Sequence, residues 1–437
     1  MTSTPILRVS ENQRFLVKTS DGEPFFWLGD TAWELFHRLT REEAEHYLEN
    51  RRVKGFTVIQ AVAVAELDGL NTPNPYGARP FHNNNPKTPN EEYFQHVDYV
   101  VNTAEEKGLF IGFLPTWGSH VLSGVISGGN ARDYGQYLGN RYKNQRNIVW
   151  ILGGDRNPEG KENVWREMAV GLTQGDGGKF LKTYHPIGGF SSSTFFHNEN
   201  WLDFNMSQSA HGSFDFPNYT FISDDYAKSP PKPTLDGEPR YEDHPVNWNP
   251  KNGYFRDYDV RQAAHWAIFA GAFGHTYGHH SIWQMWAPKR TKVNFPDRYW
   301  YDALDRPGAA SLIYLRNLML SRPFLSRVPD QSIINGNPGS GADYLQATRG
   351  DGYLFVYAST GQKFTLNLGK ISGSKVKAWW YDPRNGTNIY IGEFTNSGTQ
   401  AFKPPGSQGR GNDWVLVVDD ATKNFSAPGS IYLENRA

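Results

Sequence analysis

Two short stretches of the chain end an apolar run in glycine and then expose a single acid. They are "WILGGDRNP", residues 150–158, with Asp155, and "KPTLDGEPRYE", residues 232–242, with Glu238. Glycoside hydrolysis needs acids of this kind, few and rigidly held: one carboxyl group protonates the leaving oxygen, and a second attacks the anomeric carbon or activates water. Gly153 and Gly154 let the backbone turn sharply under Asp155, while Arg156, Arg240, Tyr241 and His244 are neighbours able to hold a carboxylate ionised. Taken alone, Asp155 could equally cap a helix or pair with Arg156. Its weight comes from a partner, Glu238, at a matching place in the chain.

Apolar runs of five to eight residues alternate with helix-period segments from about residue 25 to 320, the pattern of repeated βα units. The strand candidates are 25–30, 56–64, 109–117, 147–155, 184–190, 202–210, 232–238 and 272–278. Between them, Thr40 and Glu43 form a capping box with Leu39 and Ala44 as a hydrophobic staple, and Gly55 is a stop. Segments 91–107, 258–270 and 308–321 carry apolar residues at helical spacing. Eight such units predict an α/β fold, a (β/α)8 TIM barrel whose chemistry lies at the C-terminal ends of its strands. A doubly wound open sheet is the alternative, but no strand is followed by a Gly-rich phosphate turn. The predicted strand ends carry Asp30, Glu66, Trp117, Asp155, Ser191, Gln208, His211, Glu238, Tyr277 and His279.

From about residue 330 the texture changes to short alternating strands separated by Gly, Asn and Pro turns, which predicts a small C-terminal antiparallel β-sandwich. The expected division is an N-terminal strand segment, 1–24, a catalytic barrel, 25–328, and the sandwich, 329–437. Segment 67–90 is a long polar loop at the end of the second strand, where loops of that length are more often functional or mobile.

A length of 437 residues suits one large domain and a smaller one. The formal net charge of −1 gives no field that would gather nucleic acid or an anionic membrane, so neither is an expected partner. The absence of cysteine excludes disulfides, thiolate metal sites and a Cys nucleophile. No basic segment followed by an apolar run opens the chain, and nowhere do 18 apolar residues follow one another. The expectation is a soluble chain of open compartment, secreted or periplasmic if an export signal has been removed. Oligomeric state is not legible. Aromatic residues make up 15%, with 14 Trp and 23 Tyr, and such rings offer apolar faces and polar edges suited to sugars as well as to a large core. The expected partner is therefore an oligo- or polysaccharide.

Candidate substrate-binding residues are Asp30, Trp33, Trp117, Gln208, His211, Tyr277, His279 and Trp283. Gln208 and His211, beside the strand that carries Glu238, could orient it; Asp30 could bind hydroxyls or cap the first helix. The cluster "HTYGHH", 275–280, raises a metal site, but it reads as a strand without carboxylate partners, so sugar contact is favoured and no metal or cofactor is expected. Arg79, Arg156, Arg240, His82 and His244 would suit a uronic acid carboxylate, or pair with local acids. A serine-nucleophile reading of "GFSSST" lacks G-x-S-x-G and its elbow. A non-catalytic carbohydrate-binding barrel would predict loss of one acid, and both are present.

The segments "FFWLGDTAWELF", "GGDRNP", "HPIGGFSSS", "LDFNMSQSAHG", "PTLDGEPRYE" and "AGAFGHTYGHHSIW" resemble the signatures of the apiosidase-like barrel family, glycoside hydrolase family 140, a relative of the retaining (β/α)8 glycosidases. "AWWYDPRNG" and "DWVLVVDD" resemble the collagen-binding-type β-sandwich that accompanies this barrel. The resemblance covers nearly the whole chain. It implies a retaining glycoside hydrolase with Asp155 as acid/base and Glu238 as nucleophile, acting on a plant or microbial polysaccharide such as a pectic side chain with an apiosyl linkage, or on another pentosyl or hexosyl bond. Where the family usually has Gly after "QS", this chain has Ala210.

Overall fold

Runs such as "IVWILG" are buried along their whole length, as in a parallel sheet covered on both faces. Eight of them line up: β1 (Trp27–Thr31), β2 (Val58–Val62), β3 (Phe110–Leu114), β4 (Ile148–Gly153), β5 (Lys182–His185), β6 (Asn205–Gln208), β7 (Thr234–Asp236) and β8 (Gly274–Tyr277). The computed structural model describes residues 4–430; the ends of the expected first and last segments, 1–3 and 431–437, lie outside the described residues. Consecutive strands pair in parallel from β1 to β5 and from β6 through β8 back to β1. The seam between β5 and β6 is bridged by Asp203 N–H donating to Lys182 O at 2.9 Å and the Thr183 hydroxyl donating to Phe204 O at 2.7 Å. A short strand, Phe190–Ser191, pairs antiparallel with β6, making nine strands in a nearly closed barrel.

The fifth strand ends earlier than the sequence suggests. Pro186 has no N–H to give a ladder, and Gly189 turns at φ 82°, so pairing stops at His185 rather than running to 190. Outside the barrel lie α1 (Arg41–Val53), α2 (Glu91–Glu106), α3 (Ala131–Tyr142), α4 (Glu162–Asp176), α5 (Tyr219–Tyr226), α6 (Asp257–Phe269) and α7 (Pro307–Leu320). A single turn, Ser193–Phe196, follows β5. The Thr40–Glu43 capping box forms as expected at the start of α1. At the barrel's base, Leu7–Val9, Leu16–Lys18 and Pro24–Phe25 form an antiparallel sheet, with Phe25 packed on Phe110 at 4.9 Å.

The C-terminal strands are β9 (Val328–Pro329), β10 (Leu345–Gly350), β11 (Tyr353–Ala358), β12 (Phe364–Asn367), β13 (Lys375–Tyr381), β14 (Asn388–Thr395), β15 (Thr399–Phe402) and β16 (Trp414–Asp420). Six of them form one sheet in the order β9-β10-β11-β16-β13-β14, and β12 pairs with β15. Alternation decides what each face covers. Leu354, Val356, Leu416 and Val418 pack against Phe364, Leu366 and Phe402, whereas Phe355, Tyr357, Val415 and Val417 join a core shared with the barrel. Helix α6 lies in that shared layer, with every residue but Asp257 buried. Across it Arg261 forms a bidentate pair with Asp413, at 3.0 and 2.9 Å, and His265 stacks on Tyr357 at 4.5 Å. Among the described residues, no helix is long and apolar enough to cross a membrane.

Candidate active site

The two glycines before Asp155 are required by space. Gly153, Gly154 and Asp155 follow one another at φ 93°, 120° and 45°, all in the left-handed region that favours glycine. A Cβ on Gly153 would sit 2.2 Å from His185 O, and one on Gly154 would sit 2.8 Å from the Trp117 ring and 2.9 Å from Gly118 N. The chain leaving β4 is thus threaded between the ends of β3 and β5. It delivers the Asp155 carboxyl to a pocket of about 320 Å³ at the C-terminal mouth of the barrel, and Glu238, two residues beyond β7, enters the same pocket.

The two acids meet different surroundings. Glu238 is buried, with its Oε2 2.9 Å from His185 Nε2 and its Oε1 3.2 Å from His211 Nε2. Burial alone would raise its pKa, but the two imidazoles outweigh it and bring the group down to about 2. Asp155 Oδ1 accepts a hydrogen bond from Gln208 Nε2 at 3.1 Å, and Oδ2 accepts one from Arg156 Nη1 at 3.0 Å. Its pKa is nonetheless raised, by burial first and then by the negative charge of Glu238. Glu66 stands on the same wall and is pushed up to about 7 by burial and by Asp155.

Trp33, Trp117 and Trp283 line the pocket with Gln208 and His211, as the sequence suggests. Trp33 stands 5.2 Å from Trp117 and edge-on to His185. Trp117 Nε1, Gln208 Oε1 and His211 Nδ1 are buried atoms without a protein partner among the described residues, which leaves polar capacity for a hydroxylated ligand.

Three expected contacts are not brought to the pocket. Asp30 and Tyr277 fall on the outward parity of their strands and face the helix layer. Asp30 accepts hydrogen bonds from the Tyr47 hydroxyl and Arg51 Nε, both at 2.6 Å, and the Tyr277 hydroxyl donates to Glu242 at 2.6 Å. His279 is buried between Asp243, at 3.1 Å, and the backbone N–H of Ser281. The other histidines of "HTYGHH" have separate surroundings: His275 is buried in β8, and His280 Nε2 lies 2.6 Å from Asn294 O. The Ser191 and Ser193 hydroxyls donate to the buried Asp225 carboxylate and so fix a turn. Of the cations, Arg240 is buried and donates to Gln262, Arg79 and His82 are exposed on the 67–90 loop, and His244 lies on the pocket wall.

Two residues of the site, one buried behind Glu238 and one on the pocket wall, carry no signal that sequence reasoning used. His185 is hidden in a strand that the apolar pattern extends well past it. Trp248 sits at φ 55° after Asn247 at φ 51°, is 44% exposed, and stands edge-on to His211 and His244, 5.9 Å from each. An exposed Trp in a left-handed turn is the trace that could have singled it out.

With this geometry in hand, comparison with known proteins is specific. Residues 10–326 match the family model described as "Apiosidase-like, catalytic domain", and residues 328–419 match "Putative collagen-binding domain of a collagenase". A solved structure described as "Glycoside hydrolase" is 41% identical, with a TM-score of 0.92 over 97% of this chain and 98% of that one. A glycoside hydrolase family 5 from Bacteroides vulgatus is 38% identical, also at 0.92, over 97% and 94%. Comparison with curated proteins returns no match.

Proposed function

The chain belongs to the apiosidase-like family of glycoside hydrolases, and from that premise we propose a retaining reaction in which Asp155 is the acid/base and Glu238 the nucleophile. One observation carries the assignment: two carboxyl groups in one pocket are driven in opposite directions, Asp155 towards holding its proton and Glu238 towards losing it. In the first half-reaction Asp155 gives its proton to the glycosidic oxygen as Glu238 bonds to the anomeric carbon and the leaving group departs as an alcohol. In the second, the Asp155 carboxylate takes a proton from water, which attacks the same carbon and releases Glu238. His185 and His211 keep Glu238 ionised and aimed, and Gln208 orients Asp155. The tryptophan walls would pack on the sugar's C–H faces.

The substrate reading is a plant or microbial polysaccharide, a pectic side chain with an apiosyl linkage. An acid-rich wall supports a neutral sugar at the reacting position. The test joins product analysis to two variants. A polysaccharide screen with product sizing and NMR of the first-formed anomer fixes substrate and stereochemistry. Glu238→Gln should abolish turnover. Asp155→Asn should lose about 10²–10⁴-fold on natural substrate, least on activated aryl glycosides, and azide should then intercept the intermediate with retained configuration. If both variants keep near-normal activity, the assignment is wrong.

A further inference from the structure

The loop that brings His211 to Glu238 is anchored from the sandwich. It runs from the end of β6, at Gln208, to the start of α5, at Tyr219. Among the described residues 212–217, every hydrogen bond that reaches beyond residues 218 and 220 is made by Asp215. That aspartate sits at φ 54°, a left-handed conformation uncommon outside glycine. Its main partner is Arg410, in the sandwich loop between β15 and β16, whose Nη1 lies 2.6 Å from each Asp215 carboxylate oxygen. Resting on the reading of Glu238 as nucleophile, we propose that Arg410 is a positioning residue, supplied by the sandwich, that fixes the 211–217 loop and so holds His211 on Glu238.

Arg410 is well seated for this. Its Nη2 donates to Asp259, which also accepts from Arg256 N–H at 2.7 Å at the start of α6, and its guanidinium lies 4.7 Å from the Tyr258 ring. It lies 5.1 Å from the Phe214 ring as well, which packs edge-on against Phe255 at 5.5 Å. The loop is therefore gripped at two consecutive side chains, Phe214 and Asp215. Behind Asp215, Gln262 makes a second link: its Nε2 donates to Asp215 Oδ1 at 3.0 Å, and its Oε1 accepts from Arg240 at 3.1 Å, two residues beyond Glu238. At the pocket the His211 ring packs on Tyr241 and His244, at 4.4 and 4.3 Å, and its carbonyl accepts from Asn247 N–H at 2.8 Å. Ring packing sets the plane of the imidazole but lets it slide, and Asn247 stands in a left-handed turn of its own. From 3.2 Å, a slide of about 1 Å takes His211 Nε2 out of hydrogen-bond range of Glu238. The nucleophile would then keep only His185 and be free to turn from the anomeric carbon.

The experiment uses the full chain with 15N-labelled histidine. The imidazole N–H that His211 donates to Glu238 is identified by its loss in His211→Asn; in Arg410→Ala that signal should move upfield and exchange faster with water. On the polysaccharide that the product screen selects, kcat of Arg410→Ala should fall about 10-fold or more at unchanged KM, short of the roughly 10²-fold that a misplacement of about 1 Å costs. Asp215→Ala should give the same two changes, and the double variant no larger a loss than either alone, because both remove one contact. Asp419→Asn is the control. It breaks another barrel–sandwich pair, with Arg322 at 2.8 and 2.7 Å, and should lower the melting temperature while leaving kcat and the His211 signal in place. The proposal is overturned by an unmoved His211 signal in Arg410→Ala, by losses that multiply in the double variant, or by an equal kcat loss in Asp419→Asn. Should Arg410→Ala not fold, Arg410→Lys keeps the charge but gives up the fork that joins Asp215 to Asp259, and should move the same signal by less, no movement again overturning it. Failure of the nucleophile reading is seen separately, as normal turnover by Glu238→Gln.

Discussion

Replacing Gly154 by alanine tests whether the acid is placed by close approach or by backbone freedom alone. At φ 120° the residue sits where side chains are essentially not found, which costs about 1–3 kcal/mol. The added methyl would also meet the Trp117 ring at 2.8 Å and Gly118 N at 2.9 Å. Trp117 is itself held against Trp33, so neither neighbour can retreat cheaply, and overpacking adds about 1–3 kcal/mol. Together these predict a loss of about 2–6 kcal/mol. Gly160, in the same loop at φ 74°, has nothing within 4 Å of where a methyl group would stand, so Gly160→Ala isolates the backbone cost at about 1–2 kcal/mol. Urea unfolding of both variants, read by tryptophan fluorescence, gives the two losses side by side. Turnover should follow, because a shift of Gly154 carries Asp155 away from the leaving oxygen, whereas Gly160→Ala should leave it intact. Equal losses within about 0.5 kcal/mol would refute the argument, since only the φ term would then be at work.

Three further outcomes follow from the geometry. Against an ordinary glutamate value of 4.5, a fall to about 2 gives Glu238 about 3 kcal/mol of stabilisation that is complete above about pH 4.5 and is lost as pH falls towards 2; stability measured over that window should decline more steeply in the wild type than in Glu238→Gln. Asp413→Ala removes the bidentate partner of the buried Arg261 and leaves it only Asp257, at 2.7 Å, so it should cost up to about 3–5 kcal/mol by thermal or urea unfolding, a loss below about 1 kcal/mol arguing that Asp257 and water compensate. Trp248→Ala should lower kcat/KM about 5–10-fold on the polymer, the worth of one stacked ring, and leave small aryl glycosides unaffected; an equal loss on both would place its effect elsewhere.

The repeated βα pattern was legible because eight buried runs, each followed by a helical segment or turn, leave few topologies open. The pair Asp155 and Glu238 was legible for a local reason, glycine before an acid at a strand end. What surrounds them was not. His185, the last residue of β5, meets Glu238 across the mouth, and the sequence alone gives that contact no period or spacing. Asp30 and Tyr277 show the converse failure: both sit at strand ends, but a strand end has two faces, and one residue of register sends a side chain to the helix layer. The cations gathered near the mouth in sequence likewise scatter, Arg240 into the core and Arg79 to the surface.

Helix α6 has no side of its own to give to water. Its residues complete the barrel's outer layer and also form the floor beneath β10, β11 and β16, so each substitution along it must suit two packing partners at once. Two cores that share a helix should melt in a single cooperative transition, with no intermediate in which the barrel stands and the sandwich has come loose. The same sharing constrains descent: a barrel of this kind cannot trade its sandwich for an unrelated module by joining ends at residue 328, because the exchange would leave Trp266, His265 and Arg261 facing solvent. The two parts are inherited, and must drift, as one body.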